Sequence, residues 1–312
     1  MEKIKIASRS SRLALKQTEI VSESLKKFFE IEVVKVSTTG DKLLNKPLAE
    51  VGGKGLFVKE LERSLLNGDA HIAVHSLKDM EVHIAKDTFI GAIHSRDSRN
   101  DVLLGKYKSL SDLPKNAIIG TTSPRRTAFL KYFRNDLTIK LCRGNVESRI
   151  SKLNENKYDA LVLAEAGLNR LDINYSYKIP IKDMPPSAGQ GAIAIQCLNK
   201  IKNKKINEII FSLNDQKAFA ETLAERSFIK TINGNCYSPI SVSANVIDNK
   251  TLSIEAYIIN TKGTEMITDK IEGHKTEAMT TGELLAKKLI KKGAKKIVRI
   301  ITLVNIYECI CC

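Results

Sequence analysis

Three segments of the sequence combine arginine with hydroxyl or amide side chains where a predicted strand gives way to a predicted helix. They contain Arg9 and Ser11; Ser123, Arg125 and Arg126; and Arg143, Asn145 and Arg149. Free N–H groups and the positive dipole end at a helix start attract anions. Arginine adds a planar two-pronged donor that matches carboxylate or phosphate. Any one arginine could make a local ion pair. Three such segments together favour a polyanionic ligand that carries carboxylates or phosphates.

Asp79 stands beside Lys78 just after the apolar run "IAV", at the sheet edge where the arginines should converge. A carboxylate among cations is misplaced if its only task is to help hold an anion. It suits chemistry that creates a cation or moves a proton next to a bound anion. The structural alternative is a salt-bridged aspartate in a turn. Asp79 is therefore a candidate catalytic residue.

Cys236 lies in "NGNCYSP", a turn between a helical run and a strand-like run. A thiol in a loop can be an accident, half of a disulfide, a metal ligand, a nucleophile or a covalent attachment point. Disulfides are not favoured, because the N-terminus carries no export signal and the chain is long. From the residues alone, the other possibilities stay open.

No metal site is predicted. The terminal "ECICC" has neither a paired CxxC nor a nearby histidine partner. His71 and His75 alternate on a strand that should be buried, and we interpret them as hydrogen-bonded core histidines rather than metal ligands.

Two glycine-rich stretches fail the tests for nucleotide-binding motifs. "VGGKGLF" lacks the GxxxxGK[ST] order, and we interpret it as a lid loop that carries Lys54 and Phe57. Gly189, Gly191 and Ala194 match a relaxed dinucleotide fingerprint, but they precede a strand rather than a helix. No nucleotide site is predicted at either place.

The composition is typical of a basic globular protein. The 312 residues are 43% hydrophobic and 27% charged, which is enough for two or three domains. A net charge of +15 raises nucleic acid as a partner, but scattered lysines, 5% aromatic residues and no tryptophan leave few platforms for bases. Targeting patterns and apolar runs of roughly 18 residues are not found. We expect a cytoplasmic protein that binds neither nucleic acid nor membrane.

The elements that must position these residues alternate between strand and helix. Strand-like runs "KIKIAS", "IEVVKVST" and "AHIAVHS" alternate with helical patterns, and a second such unit contains "AIIG", "LTIKLC" and "DALVLA". This alternation predicts parallel α/β sheets with crossover helices. "DMPPSAGQGAIAIQC" is interpreted as a hinge, and "PISVSANV", "TLSIEAYIIN" and "EMITDKIEG" as an antiparallel meander in a small α+β domain.

Seven blocks of the sequence resemble the porphobilinogen deaminase family, also called hydroxymethylbilane synthase. They are "GGKGLFVKELE", "HIAVHSLKDM", "GTTSPRR", "LCRGNVESR", "AEAGLNRL", "PSAGQGAIAIQC" and "NGNCYSPI", within roughly residues 3 to 300. The resemblance implies a transferase of tetrapyrrole (haem) biosynthesis. Such an enzyme joins four porphobilinogen molecules head to tail, with loss of ammonia each time, and releases hydroxymethylbilane.

The resemblance also implies roles for matched positions. Asp79 matches the catalytic aspartate, and Cys236 matches the cysteine that holds one covalent dipyrromethane cofactor through a thioether. The implied cofactor-binding residues are Lys78, Thr122, Ser123, Arg125, Arg126, Gly144 and Arg149. The implied substrate-binding residues are Arg9, Ser11, Arg143, Arg170 and Gln190, with Lys54 and Phe57 in the lid loop.

The family's fold implies two doubly wound α/β domains that resemble periplasmic binding proteins, plus a small α+β domain that bears the cysteine. We expect domain 1 to comprise residues 1–94 and 191–213, domain 2 residues 95–190, and the cofactor-tethering domain residues 214–312. The family also implies a monomer. Thr39 departs from the pattern, because an arginine often stands there.

Two other functions fit part of the pattern. A two-lobed carboxylate-binding protein without catalysis would explain the arginines and the hinge, but it gives Asp79 and Cys236 no task. A nucleic-acid binder rests on net charge alone.

Overall fold

The first sheet has five strands in the order β2-β1-β3-β10-β4. The computed structural model describes residues 1–42, 55–199, 204–235 and 238–297 of the chain. The strands of this sheet are β1 (Lys3–Arg9), β2 (Glu30–Val36), β3 (Ile72–Ser76), β4 (Thr88–Arg96) and β10 (Ala192–Leu198). Ile4, Ile6, Ile72 and Ile195 are fully buried in its core, as expected for a sheet covered by helices.

The second sheet also has five strands, in the order β7-β6-β8-β5-β9. They are β5 (Asp101–Gly105), β6 (Ile118–Thr121), β7 (Thr138–Leu141), β8 (Ala160–Ala164) and β9 (Tyr177–Lys178). Leu103, Ile119 and Val162 lie in its core.

The two sheets repeat one layout. In each, three parallel strands are followed by an antiparallel strand, β10 or β5, and then by an edge strand that is antiparallel to it. Because β5 and β10 run antiparallel to the three parallel strands of their sheets, their amino ends lie beside the carboxyl ends of those strands. Asp101 is opposite Ala164, and Ile193 is opposite Ser76. Residues that precede β5 and β10 therefore reach the edge where ligands bind in α/β sheets.

Helices cover these sheets, and some of them begin at polar caps. Around the first sheet are α1 (Arg12–Leu25), α2 (Thr39–Lys42), α3 (Lys59–Leu66) and α7 (Lys204–Ser212); around the second are α4 (Pro124–Phe133), α5 (Val146–Asn154) and α6 (Glu165–Asn169). The side chains of Ser11, Ser123 and Asn145 accept hydrogen bonds from N–H groups in the first turns of α1, α4 and α5. Such caps stabilise a helix by about 1 kcal/mol.

A third unit contains an antiparallel sheet packed against two helices. Its strands β11 (Ile240–Val246), β12 (Thr251–Ile259) and β13 (Met266–His274) pair in chain order, and α8 (Gln216–Ile232) and α9 (Ala278–Lys291) lie against them. Ala224, Phe228 and Ile232 are buried at every fourth position of α8, which is the spacing of one helix face. The C-cap of α8 is Asn233, whose φ is +59°, a left-handed conformation that asparagine tolerates.

The predicted fold class is confirmed: two α/β sheets and a small α+β unit with the predicted meander. Two differences have local causes. The helical pattern "LALKQTEIVSESLKKFF" after the first strand predicts a helix through Phe29, but the helix ends at Leu25, and Phe29 is buried in the core of the first sheet. β4 and β5 were not predicted, because they follow each other without an intervening helix and so lack the strand–helix alternation of the other strands.

The proposed domain boundaries at 94/95, 190/191 and 213/214 stay a prediction. The pairing of β10 with β3 and β4 supports the discontinuous first domain. Among the residues that the structure describes, no helix is long and apolar enough to cross a membrane.

Candidate active site

A cavity of about 660 Å³ is lined by residues that follow β1, β3, β6, β7 and β8. The structure thus brings the three arginine-containing segments together, as expected for the carboxyl ends of parallel strands. Two acidic side chains, Asp79 and Glu81, also line the cavity. Its basic lining residues are Arg9, Lys78, Arg125, Arg126, Arg143, Arg149, Arg170 and Arg226. So high a density of positive charge favours a ligand with several carboxylates or phosphates.

On the first-sheet side, Arg9 is the last residue of β1, and its guanidinium lies 4.3 Å from the ring centre of Phe57. This is a cation–π contact, and it places the described end of the predicted lid loop against an anion-binding candidate. Ser11 lines the cavity and also caps α1. Lys54 lies outside the described residues.

Lys78 and Asp79 lie in a single 3-10 turn, Leu77–Asp79, that directly follows β3. Asp79 is exposed, whereas Lys78 is half-buried. Burial lowers the pKa of Lys78 to about 8, because it disfavours the charged form more than the neighbouring Asp79 favours it, and Arg126 lowers it further. The Lys78 ammonium therefore titrates close to neutral pH, next to a carboxylate that solvent and ligand can reach.

On the second-sheet side, Arg125 and Arg126 lie in the first turn of α4 and are almost fully buried. Each donates an Nη2–H to the carboxylate of Asp101, over 2.5 Å from Arg125 and 2.7 Å from Arg126. Thr122 and Ser123 precede them and line the same wall. The two guanidiniums are therefore fixed by the protein before any ligand binds.

Arg143, Gly144 and Arg149 extend this wall. Gly144 has φ +116°, and a Cβ there would lie 2.0 Å from Oγ of Ser148, so the turn requires glycine. Its carbonyl accepts a hydrogen bond of 2.8 Å from Nε of Arg149. Burial is the main cause that lowers the pKa of Arg149, and the positive charge of Arg126 lowers it further. This part of the cavity therefore lacks the negative charge that would balance its arginines.

Arg170 and Gln190 connect the wall to the predicted hinge. Arg170 donates to the carbonyl of Gly191 over 2.5 Å. The Gln190 amide donates to the Arg99 carbonyl at 2.7 Å and to Asp101 at 3.0 Å. Gly189 and Gly191 have φ of +70° and +87°, conformations that glycine permits.

The third unit closes the cavity with Gly234, Asn235 and Ser238, which flank Cys236 in the sequence. Cys236 itself lies outside the described residues. The residues that flank the predicted tether in the sequence therefore line the same cavity as the arginines.

Two residues of the site were missed by the sequence analysis. Arg226 on α8 lines the cavity and donates to the carbonyls of Met80 and Glu81; its only signal was an arginine on a helix that also buries alanine and phenylalanine. Asp101 is fully buried behind the arginine pair, and "RND" before an apolar run could have marked it as a buried acid.

His71, His75 and Thr39, which were singled out in the sequence, do not line the cavity. His71 Nδ1 accepts a hydrogen bond from the Lys5 amide at 3.0 Å. Burial lowers the pKa of His75 to about 4, so it is neutral at physiological pH. Thr39 is exposed and donates to Glu60 from its amide and hydroxyl. Over the described ranges, no group of three potential ligands could hold a metal ion.

The cavity fits a cofactor that carries carboxylates. Three donor atoms on its buried arginines, Nε of Arg125, Nε of Arg126 and Nη1 of Arg143, have no hydrogen-bond partner among the described residues. Buried donors are normally satisfied, so these atoms point to carboxylates of a bound molecule. Fold and cavity together define a two-lobed α/β protein with a cation-lined ligand site.

Two family models match the chain. The model described as "Porphobilinogen deaminase, dipyromethane cofactor binding domain" matches residues 4–208. The model described as "Porphobilinogen deaminase, C-terminal domain" matches residues 219–291. Together they cover both large sheets and most of the third unit.

Curated relatives agree with these models. The chain is 42% identical over 303 residues to the porphobilinogen deaminase of Nitratiruptor sp., covering 95% of this chain and 96% of that protein. It is 43% identical over 302 residues to that of Campylobacter lari, covering 94% and 97%. The chain belongs to the porphobilinogen deaminase family, and it contains the family's dipyrromethane cofactor-binding domain.

Solved structures that resemble the fold include binding proteins. A putative methionine-binding lipoprotein of Bacillus subtilis has a TM-score of 0.43 at 12% identity, covering 68% of this chain and 90% of that one. A putative sulfonate-binding protein of Methylobacillus flagellatus has a TM-score of 0.40 at 16% identity, covering 75% and 68%. At these TM-scores the likeness supports no conclusion about ligands.

Proposed function

We propose that this chain is a transferase that condenses four porphobilinogen molecules head to tail, with loss of ammonia at each addition, to give hydroxymethylbilane. Membership of the family supports this activity. The observation that carries it in this molecule is a cavity that, among the described residues, is lined by Asp79, by eight basic side chains and by the neighbours of Cys236.

The basic residues would bind the carboxylates of the pyrroles. Arginines 125, 126 and 149, with Lys78, Thr122, Ser123 and Gly144, would hold the dipyrromethane cofactor, whose thioether would form at Cys236. Arg9, Ser11, Arg143, Arg170 and Gln190 would bind the substrate and the growing chain. When bound, the dipyrromethane supplies the nucleophilic pyrrole carbon to which new units are added.

Asp79 would act on charge and protons. Loss of ammonia leaves positive charge on the substrate ring, and a carboxylate beside the ring stabilises that charge. The same carboxylate can move a proton at a pyrrole N–H or at the carbon that has just reacted. Its exposure inside the cavity gives it access to each successive ring.

Arg226 would help to place Asp79. Its guanidinium, on the helix that leads to Cys236, donates to the carbonyls of the two residues after Asp79, at 3.3 and 2.7 Å. This contact ties the cysteine-bearing unit to the turn that carries the carboxylate. We further propose that the protein is cytoplasmic and monomeric, as expected from its sequence.

Intact mass spectrometry tests the function directly. The purified chain should be about 420 Da heavier than its sequence, which is the mass of two porphobilinogens less two ammonias, and it should consume porphobilinogen. An unmodified mass with tight carboxylate binding and no turnover would instead support a binding protein without catalysis.

Cys236→Ser tests the tether. Because an oxygen replaces the sulfur that forms the thioether, we expect the added mass and the turnover to be lost while the protein still folds. Cys312→Ser, in the terminal "ECICC", is the control and should remain loaded. A fully loaded, active Cys236→Ser protein would refute the tether role.

A further inference from the structure

Asp101 is a fully buried carboxylate directly behind the cationic wall of the cavity. It is the first residue of β5, and it reaches this edge because β5 runs antiparallel to β8. A buried carboxylate is costly unless it is paired and hydrogen-bonded. Its surroundings therefore indicate what it is held there to do.

Three side chains donate to Asp101. Oδ2 accepts from Nη2 of Arg125, and Oδ1 accepts from Nη2 of Arg126 and from the Gln190 amide. The neighbouring carbonyls of Pro185 and Val162 accept from Nη1 of Arg125 and of Arg126, respectively. Both Nη ends of each guanidinium are thus anchored to protein.

The anchoring leaves a defined part of each guanidinium without a partner. A guanidinium has five N–H donors, and Nε of both arginines lacks a hydrogen-bond partner within the described part of the chain. Both arginines line the cavity. The donors that remain for a ligand are those that Asp101 and the two carbonyls do not occupy.

We propose that Asp101 is a positioning residue for ligand binding: it holds Arg125 and Arg126 so that their remaining N–H donors meet the carboxylates of the bound oligopyrrole. This inference rests on the proposed function. Through Gln190, the same carboxylate links the arginine pair to the glycine-containing hinge.

The direction in which Asp101→Asn changes ligand affinity distinguishes a positioning role of Asp101 from a purely electrostatic one. Asp101→Asn adds one unit of positive charge beside the cavity, which by Coulomb's law alone would tighten the binding of an anion. Loss of the oriented arginine pair would weaken it. Weaker binding despite the extra positive charge would therefore identify positioning.

The test compares Asp101→Asn with Glu165→Gln, each made in the full chain. Glu165 is also a buried carboxylate, but it bonds to Ser98, Tyr175 and Lys178. For each protein, three quantities are measured: the fraction of chains with the added cofactor mass, the thermal midpoint, and KM and kcat for porphobilinogen on the loaded fraction.

We expect Asp101→Asn to lower cofactor loading and to raise KM about tenfold, the size of one charge-assisted hydrogen bond, with kcat changed less than threefold. Glu165→Gln should keep the wild-type loading and KM, even if its thermal midpoint falls as far as that of Asp101→Asn. A lowered or unchanged KM in Asp101→Asn, or loading that follows the thermal midpoint in both variants, would overturn the proposal.

Two further results keep the test decisive. If Asp101→Asn does not fold, Asp101→Glu keeps the charge but displaces the carboxylate, and a raised KM is again expected; an unchanged KM overturns the inference. If the wild-type chain carries no added mass and does not consume porphobilinogen, the proposed function fails, whereas a normal wild type beside a normal Asp101→Asn refutes only the role of Asp101.

Discussion

The two walls of the cavity differ in how deeply their charged groups are buried. On the second-sheet wall, Arg125, Arg126 and Arg143 are at most 6% exposed, and the first two are anchored to Asp101. On the first-sheet wall, Asp79 is exposed and Arg9 is half-buried against Phe57. One wall is fixed before a ligand arrives, and the other is open to solvent.

This difference matches the two demands of the proposed reaction. A cofactor that stays bound gains from donors whose orientation is already set, because no side-chain entropy is then lost on binding. A carboxylate that must serve successive rings needs access rather than enclosure. We therefore expect changes on the fixed wall to affect stability and loading, and changes on the open wall to affect turnover.

The largest effect is expected for Asp79→Ala. Removing a group that stabilises charge and moves protons should slow porphobilinogen consumption about a thousandfold. Because Asp79 is exposed, the thermal midpoint should hardly change. Asp69→Ala is the control: Asp69 is also exposed but precedes β3 at its other end, and turnover should be unaffected. If Asp79→Ala turned over near the wild-type rate, the expectation that changes on the open wall affect turnover would be wrong.

An intermediate effect is expected when the two walls are changed alike. Arg126→Lys should lower the free energy of unfolding by about 2 kcal/mol, because a single ammonium does not reproduce the two nitrogens that separately bond Asp101 and the Val162 carbonyl. Arg9→Lys should cost less than about 0.5 kcal/mol, because that position is half-buried and an ammonium can still lie over Phe57. Urea unfolding of both variants measures the two losses in free energy of unfolding. Equal losses would contradict the division into a fixed wall and an open wall.

The smallest effect concerns pH. With its pKa lowered to about 8, Lys78 is charged below that pH and neutral above it, so it holds a carboxylate less well as the pH rises through 8. The charged groups that act on the Lys78 ammonium are Asp79, Arg126, Asp101 and Arg125. The fraction of chains that acquire the added cofactor mass should therefore be lower when loading is done at pH 9 than at pH 7, at constant ionic strength. Lys78→Arg, which stays charged, should load equally at both pH values; identical pH dependences in the two proteins would exclude Lys78 as the cause.

Much of the fold and part of the site could be predicted from local patterns. Alternation of apolar strands with amphipathic helices predicted the two sheets, and strand ends predicted that Arg9, Arg125 and Arg143 would meet. Asp101 was missed because its strand was not predicted and its arginine partners are more than 20 residues away. Arg226 was missed because its partners lie about 145 positions earlier in the chain.

The sequence by itself determined which chemical groups are available and at which strand ends they stand, because hydrophobic period and helix caps are local properties. Only the tertiary structure decided which of these groups are buried, anchored or open. That depends on β5 and β10 running antiparallel, which turns Asp101 and Gln190 toward the arginines. Burial and partners then set the charge, freedom and pKa of each side chain, and no local pattern encodes them.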